Sequence, residues 1–278
     1  RDKKVVKRSR KRKDDKISSS YPERIFSYTG STAMIHWICL EDQTNDSRSV
    51  LGPNFNSYSV FVVLPNDNLF FVGGTDASQS VGINTCSELD VEEFTVTQKP
   101  HMISARYAPG CVFLEGKVLV FSGFDSDFVR YCEYFDLETE LWESLPEIPE
   151  AGYQMTAIEV EATRSILITG GYNSSYGWQS KVQEFSLEEM TWKTWGVTLI
   201  MTSITPCFKL ERDSSEVYVC TTSQIVKLDV YNQTQTTVRN EGLALAQYSL
   251  QSPYYYKEGC VFCSNLNGPP NSIQISEI

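Results

Sequence analysis

Short β-rich runs that end on small residues recur along this chain at a nearly constant interval. The runs are Ser27–Gly30 (SYTG), Phe70–Gly74 (FFVGG), Val120–Gly123 (VFSG), Leu167–Gly171 (LITGG), Val219–Thr222 (VCTT) and Val261–Ser264 (VFCS), and their last residues lie 44, 49, 48, 51 and 42 positions apart. A period of roughly 40–50 residues marks an array in which each repeat is one supersecondary unit that cannot bury its apolar faces alone. A chain built this way folds by stacking its units, so 278 residues need not mean two independent domains.

Two further markers keep the same register. Tyr58, Tyr107, Tyr153 and Tyr248 precede Gly74, Gly123, Gly171 and Ser264 by 16, 16, 18 and 16 residues. Each opens an apolar segment (YSVFVVL, YAPGCVFL, YQMTAIEV) that reads as the strand before the glycine-ended one. Downstream, Phe135 to Trp142 (FDLETELW) and Phe185 to Trp192 (FSLEEMTW) both place an aromatic seven residues before a tryptophan. LDVEEFTV at Leu89–Val96, LDVYNQTQ at Leu228–Gln235 and LEDQTNDS at Leu40–Ser47 are degenerate copies. Each unit thus supplies four β-rich runs, with nothing of helical period and length between them, which excludes a parallel α/β fold.

Four short strands cannot hide both faces of their sheet, so such sheets stack face to face around an axis. The glycines allow a positive φ or a crowded approach where the inner strands meet their turns. The tryptophans fill the space between neighbouring sheets.

These residues resemble the Kelch-repeat family, whose blade pattern is an apolar run, a Gly-Gly pair, a Tyr-Asp-like step and a later Trp. The units Tyr107–Trp142 and Tyr153–Trp192 match most fully. Tyr58–Val96 substitutes Leu89 and Val96 at the Tyr and Trp positions, and Ser203–Gln235 lacks both glycines and the Trp. Tyr248–Ile278 stops before a fourth strand. The resemblance implies an all-β, Kelch-type β-propeller over residues 17–278, with six four-stranded blades expected, the N- and C-terminal ones degenerate or incomplete. Five or seven blades are the alternatives. Arg24–Gly30 and Met34–Leu40 read as strands of the first unit. Ring closure would draw the missing outer strand of the last unit from Ile17–Ser20, or leave it absent.

Charge divides the chain. Residues 1–16 (RDKKVVKRSRKRKDDK) hold ten Lys/Arg against three Asp, a net +7, so an overall charge of −11 leaves −18 on the other 262 residues. The basic segment reads as a disordered tail or the end of an upstream linker, with a nuclear-localisation signal or an electrostatic contact as alternatives. An opening on Arg1 suggests a fragment or the continuation of a longer protein, expected to be the C-terminal part of a larger adaptor or scaffold. No apolar run approaches the length of a membrane span. The eight cysteines sit among strand-like segments as small hydrophobes, pointing to a reducing compartment. A cytoplasmic setting is expected, with a nuclear one as the alternative.

Catalytic signatures are scarce. His36 and His101 are the only histidines and fall in different units. That disfavours an enzyme on this scaffold such as a copper radical oxidase, whose copper site needs paired His and Tyr ligands. Cys260-Val-Phe-Cys263 lacks a second ligand pair for zinc. Asp125-Ser-Asp127 lacks the remaining ligands of a calcium loop and reads as a solvated turn. No nucleophile elbow, phosphate-binding loop or zincin motif appears, and no cofactor is expected. Nucleic acid is disfavoured, since no groove of alternating basic and aromatic residues recurs.

In Kelch adaptors that recognise peptides, the start of the innermost strand and the residues after the Gly-Gly pair commonly line the pocket. By that resemblance the partner-binding positions are Tyr58, Arg106, Tyr107, Tyr153 and Tyr248, with Thr75, Phe124, Asp125 and Tyr172 from the second set. Tyr176 and Trp178 of the NSSYGW loop join them. A repeated tyrosine suits stacking on an incoming segment, and it can equally pack between blades with its hydroxyl at the surface. With one arginine at this level, the acidic body favours a neutral or basic ligand. The expected function is a non-catalytic protein-interaction module, with ubiquitin-ligase substrate recruitment and cytoskeletal or signalling scaffolding as possible roles.

Overall fold

Runs rich in valine, isoleucine and aromatics, broken every few residues by Gly, Asp, Asn and Ser, favour short strands joined by tight turns. The computed structural model describes residues 24–274 except 30–31, 43, 51–56, 77, 79, 201–206, 212, 222, 240–253, 258–259 and 266–267. For the strands after residue 253 it describes the backbone alone. The described residues form strands and one 3₁₀ turn at Glu161–Thr163. Among them, no helix is long and apolar enough to cross a membrane.

The strands group by unit. β1 (Arg24–Thr29), β2 (Met34–Cys39) and β3 (Asn45–Ser49) make a three-stranded sheet. β4 (Val60–Val63), β5 (Leu69–Val72), β6 (Cys86–Leu89) and β7 (Val96–Lys99) make the second, in chain order. The third unit runs through β8 (Gly110–Leu114), β9 (Lys117–Phe121), the small ribbon β10 (Phe124–Asp125) and β11 (Asp127–Phe128), then β12 (Cys132–Asp136) and β13 (Leu141–Leu145). Its sheet order is β13-β12-β9-β8, with the ribbon standing apart. The fourth unit has β14 (Tyr153–Val160), β15 (Ser165–Asn173), β16 (Gly177–Trp178), β17 (Lys181–Ser186) and β18 (Thr191–Thr198), where β16 pairs with the end of β15. The fifth has β19 (Cys207–Lys209), β20 (Glu216–Cys220), β21 (Ile225–Asp229) and β22 (Thr234–Arg239).

Six four-stranded blades are expected, the end ones degenerate or incomplete, and among the described residues five blade sheets are found. The strands of the last unit, β23 (Tyr254–Lys257), β24 (Cys260–Asn265) and β25 (Gly268–Gln274), do not form a sheet of their own. β23 pairs parallel with β19, Phe208 opposite Tyr254 and Lys209 opposite Tyr255, so all seven strands share one sheet. An unpaired strand edge is a ready template for another strand, and in this unit the innermost strand takes one. β24 and β25 then lie against β1, and β25 also against β2, which brings the last described strands to the first sheet. The segment Ile17–Ser20 lies outside the described residues.

Burial is greatest on the inner strands and falls towards the outer edge. Leu69, Phe70, Phe71 and Val72 are all buried, so β5 is covered on both faces by its neighbours. At the outer edge, every residue of β3 is exposed. The innermost strands β4, β8, β14 and β19 are successive neighbours. Backbone bonds link their heads. Ala108 N–H donates to the Tyr58 carbonyl (2.9 Å) and Gln154 N–H donates to the Ala108 carbonyl (2.8 Å). All three residues are left-handed, with φ of 60°, 48° and 63°.

Tryptophans tie the rims together. Trp142 packs at a tilt against Phe135 (5.3 Å between centroids) and its indole N–H donates to the Pro100 carbonyl of the preceding connector (2.8 Å). Trp192 repeats this with Phe185 (4.9 Å) and the Pro146 carbonyl (2.9 Å). The glycines are where crowding demands them. Gly171 has φ of 91°, and a Cβ there would sit 2.5 Å from Met155 Cγ and 3.1 Å from the Tyr153 carbonyl oxygen.

Candidate functional site

The heads of the inner strands carry the tyrosines, so the backbone relay places aromatic rings side by side. Tyr58 and Tyr107 have centroids 5.6 Å apart, Tyr107 and Tyr153 6.1 Å, Tyr153 and Tyr172 5.9 Å, and Tyr172 and Trp178 5.5 Å. Rings at these separations attract through offset and edge-to-face contact as well as through area. The result is a continuous aromatic arc across the second, third and fourth units. Tyr58 is 45% exposed, and Tyr107, Tyr153, Tyr172 and Trp178 are half-buried. Tyr107 and Tyr153 rest at the same time against the core shared by the second and third units. Packing between blades and presentation at the surface are therefore combined in the same rings.

The ribbon β10–β11 adds two more rings. Phe124 lies 5.4 Å from Tyr107 and 6.0 Å from Tyr153, and Phe128 stacks at 6.3 Å on Tyr153. Ser126, left-handed at φ 59°, makes the tight turn that folds these phenylalanines together, 5.1 Å apart. Phe128 carries no repeat marker, so only the hairpin reveals it. Asp125 accepts a hydrogen bond from the Gly82 N–H (3.1 Å), which pins the ribbon to the second unit. Tyr176, at the turn between β15 and β16, is 57% exposed.

Arg106 is not a surface contact. It is buried, forms an ion pair with Glu133, and donates to the carbonyls of Ser122 (2.8 Å) and Tyr131 (2.6 Å). Glu133 also accepts the backbone N–H groups of Ile103 (2.6 Å) and Ser104 (3.2 Å). Buried and bonded to these internal acceptors, the guanidinium is out of a partner's reach and holds the connector that delivers Tyr107. Ser122 does the same one unit on, accepting from the Gly152 N–H (2.9 Å) just before Tyr153. Thr75 is likewise buried, its hydroxyl on the Ser57 carbonyl (3.2 Å). Tyr248 lies outside the described residues.

The electrostatics keep the arc neutral. Burial, and then the neighbouring phenols, push the Tyr107 and Tyr153 hydroxyls above the ordinary tyrosine range, so both remain protonated donors at physiological pH. Buried thiols are raised for the same reason, Cys132 to about 11 and Cys207 to about 12. The six cysteines with described side chains form no disulfide with one another. Burial lowers the pKa of His36, which stands in β2. His101 is exposed in the connector after β7. Among the described residues no group of three or more His, Cys, Asp or Glu is placed to hold a metal ion.

Antiparallel sheets stacked through innermost strands, with an aromatic arc at the strand heads, define a β-propeller. The family model for the Kelch motif matches residues 105–149, the unit that contains Tyr107, Gly123, Glu133 and Trp142. An F-box/kelch-repeat protein of Arabidopsis thaliana is 27% identical over 128 residues, which are 45% of this chain and 30% of that protein. The third unit therefore carries a Kelch motif, and over that part the chain is similar to Kelch-repeat proteins. The match spans less than a third of that relative's length.

Proposed function

We propose that the propeller is a non-catalytic protein-interaction module, an adaptor or scaffold that holds a segment of a partner across the aromatic arc. The carrying observation is the unbroken series of ring contacts from Tyr58 to Trp178, partly exposed and built on three successive units. Rigid aromatics bury large areas at low entropic cost, and interface energy concentrates on such residues. The neutral phenols of Tyr107 and Tyr153 supply donors for a partner's backbone carbonyls. The relative's name couples an F-box to Kelch repeats, which supports recruitment of substrates to a ubiquitin ligase as the role of such a module.

The test is affinity capture with the propeller as bait, wild type against Tyr107→Ala/Tyr153→Ala, with thermal unfolding of both proteins measured alongside. The double variant should recover its specific partner at least roughly tenfold less well while retaining a cooperative transition. An unchanged captured set would refute the arc as the binding surface. Collapse of the fold would instead assign the two tyrosines to packing between blades.

A further inference from the structure

Beside the arc, bordered by the β10–β11 ribbon, the surface dips into an open depression of about 440 Å³. Its walls include Phe128 and Tyr131, and its charged groups are Asp125, Asp127, Glu147 and Arg130. Arg130 Nε lies 3.3 Å from a Glu147 carboxylate oxygen, so three carboxylates face one guanidinium and the depression is net negative by two. Tyr131 is 59% exposed, and with Phe128 and Val129 it gives the acidic depression an apolar wall. Phe128 belongs to both places, lining the depression and stacking on Tyr153 of the arc. The arc and the depression are therefore contiguous through Phe128.

We infer that this depression receives a lysine or arginine side chain of the partner segment, so the module recognises a basic residue flanked by apolar or aromatic ones. The inference rests on the interaction reading above and adds the partner's chemistry to it. The side chain's methylenes would lie along the apolar wall, against Phe128. Its charged head would meet the carboxylates and the face of Tyr131, where a cation is attracted to the ring. Complementarity extends beyond the pocket, because the chain outside residues 1–16 carries a charge of −18, a field that draws a basic segment in and repels an acidic one.

A random peptide library displayed on phage and selected on the full chain tests this. Selected sequences should be enriched in Lys or Arg at a fixed spacing from an apolar or aromatic residue. A synthetic peptide of the consensus, titrated by fluorescence anisotropy, should bind roughly two- to fivefold more weakly to Asp127→Asn and again to Glu147→Gln, and lose affinity as salt rises. Asp127→Lys/Glu147→Lys should shift selection towards acidic peptides. Binders that depend on Tyr107 and Tyr153 but show no basic preference, or affinities indifferent to both carboxylates, would overturn the inference and leave the arc standing. Failure to select any binder would count against the arc and the pocket alike.

Discussion

Arg106 brings a full charge into a place without water, and its compensation comes from Glu133, 27 residues away on β12. Removing a partner from such a pair leaves a buried charge unanswered, which costs more than the intact pair contributes. Glu133→Ala should therefore lower the unfolding free energy by roughly 3–5 kcal/mol, read from urea denaturation midpoints. Arg106→Met/Glu133→Leu should cost much less than the sum of the two single changes, since the two residues form one network. A loss under about 1 kcal/mol for Glu133→Ala would mean that water reaches the guanidinium and that the pair is not sealed. Arg106 also shows where residue-level reading stops. Its type and repeat position suggest a surface cation, and nothing local announces that its partner lies across the blade. The tyrosines were legible because their position recurs with the glycines. Phe128 was not, because its contact with Tyr153 exists only once the Asp125-Ser126-Asp127 turn has closed.

At the scale of elements, the turn joining the two outermost strands repeats its chemistry even where the tryptophan is lost. The Asp90 carboxylate accepts the N–H groups of Glu92 and Glu93, Asp136 those of Glu138 and Thr139, and Asp229 that of Asn232. A left-handed residue follows each time, Phe94, Glu140 and Gln233, with Met190 in the equivalent place of the fourth unit. The acid in FDLETELW and its degenerate copies is thus a turn device, which explains why it outlasts the Trp. The strands themselves were legible from β-branched and aromatic runs. The left-handed relay through Tyr58, Ala108 and Gln154 was not, because three unlike residues share that conformation and it is set by contacts between units. The Asp136 turn carries a pH signature. The Lys117 ammonium at 2.5 Å, and then the two backbone donors, hold its carboxyl at about 2 against an ordinary 3.8. A depressed carboxyl stabilises the fold above its unfolded pKa, and that contribution is lost as pH falls through the folded one. Thermal midpoints of the wild type should accordingly drop more steeply between 3.8 and about 2 than those of Asp136→Asn, which has no such proton to bind. Parallel profiles for the two proteins would show that the turn does not depend on the charge.

For the whole molecule, the decisive question is how the ring closes. The period near 47 made a propeller legible and suggested six blades, yet five sheets form, because pairing between strands of different units is not written in either unit alone. Phe208 and Lys209 of β19 take Tyr254 and Tyr255 of β23 as parallel neighbours, and β24 and β25 reach the first sheet. Without β23–β25, the inner edge of β19 and the inner side of β1 would both face water. β1 has five of its six residues buried, so that exposure is of apolar surface as well as of unpaired backbone. A chain ending at residue 253 should therefore unfold some 5–15 °C lower than the full chain, the equivalent of a few kcal/mol at this size, and it should associate through its open edges in sedimentation experiments. Neighbour-only contacts make repeat arrays lose stability locally when an internal unit is weakened, whereas a closed ring loses it everywhere at once. Hydrogen exchange separates these outcomes. Faster exchange in the second, third and fourth units of the truncated chain marks a ring closed by its last strands. Protection lost only around β19 and β1 would mean that the five sheets hold one another without closure.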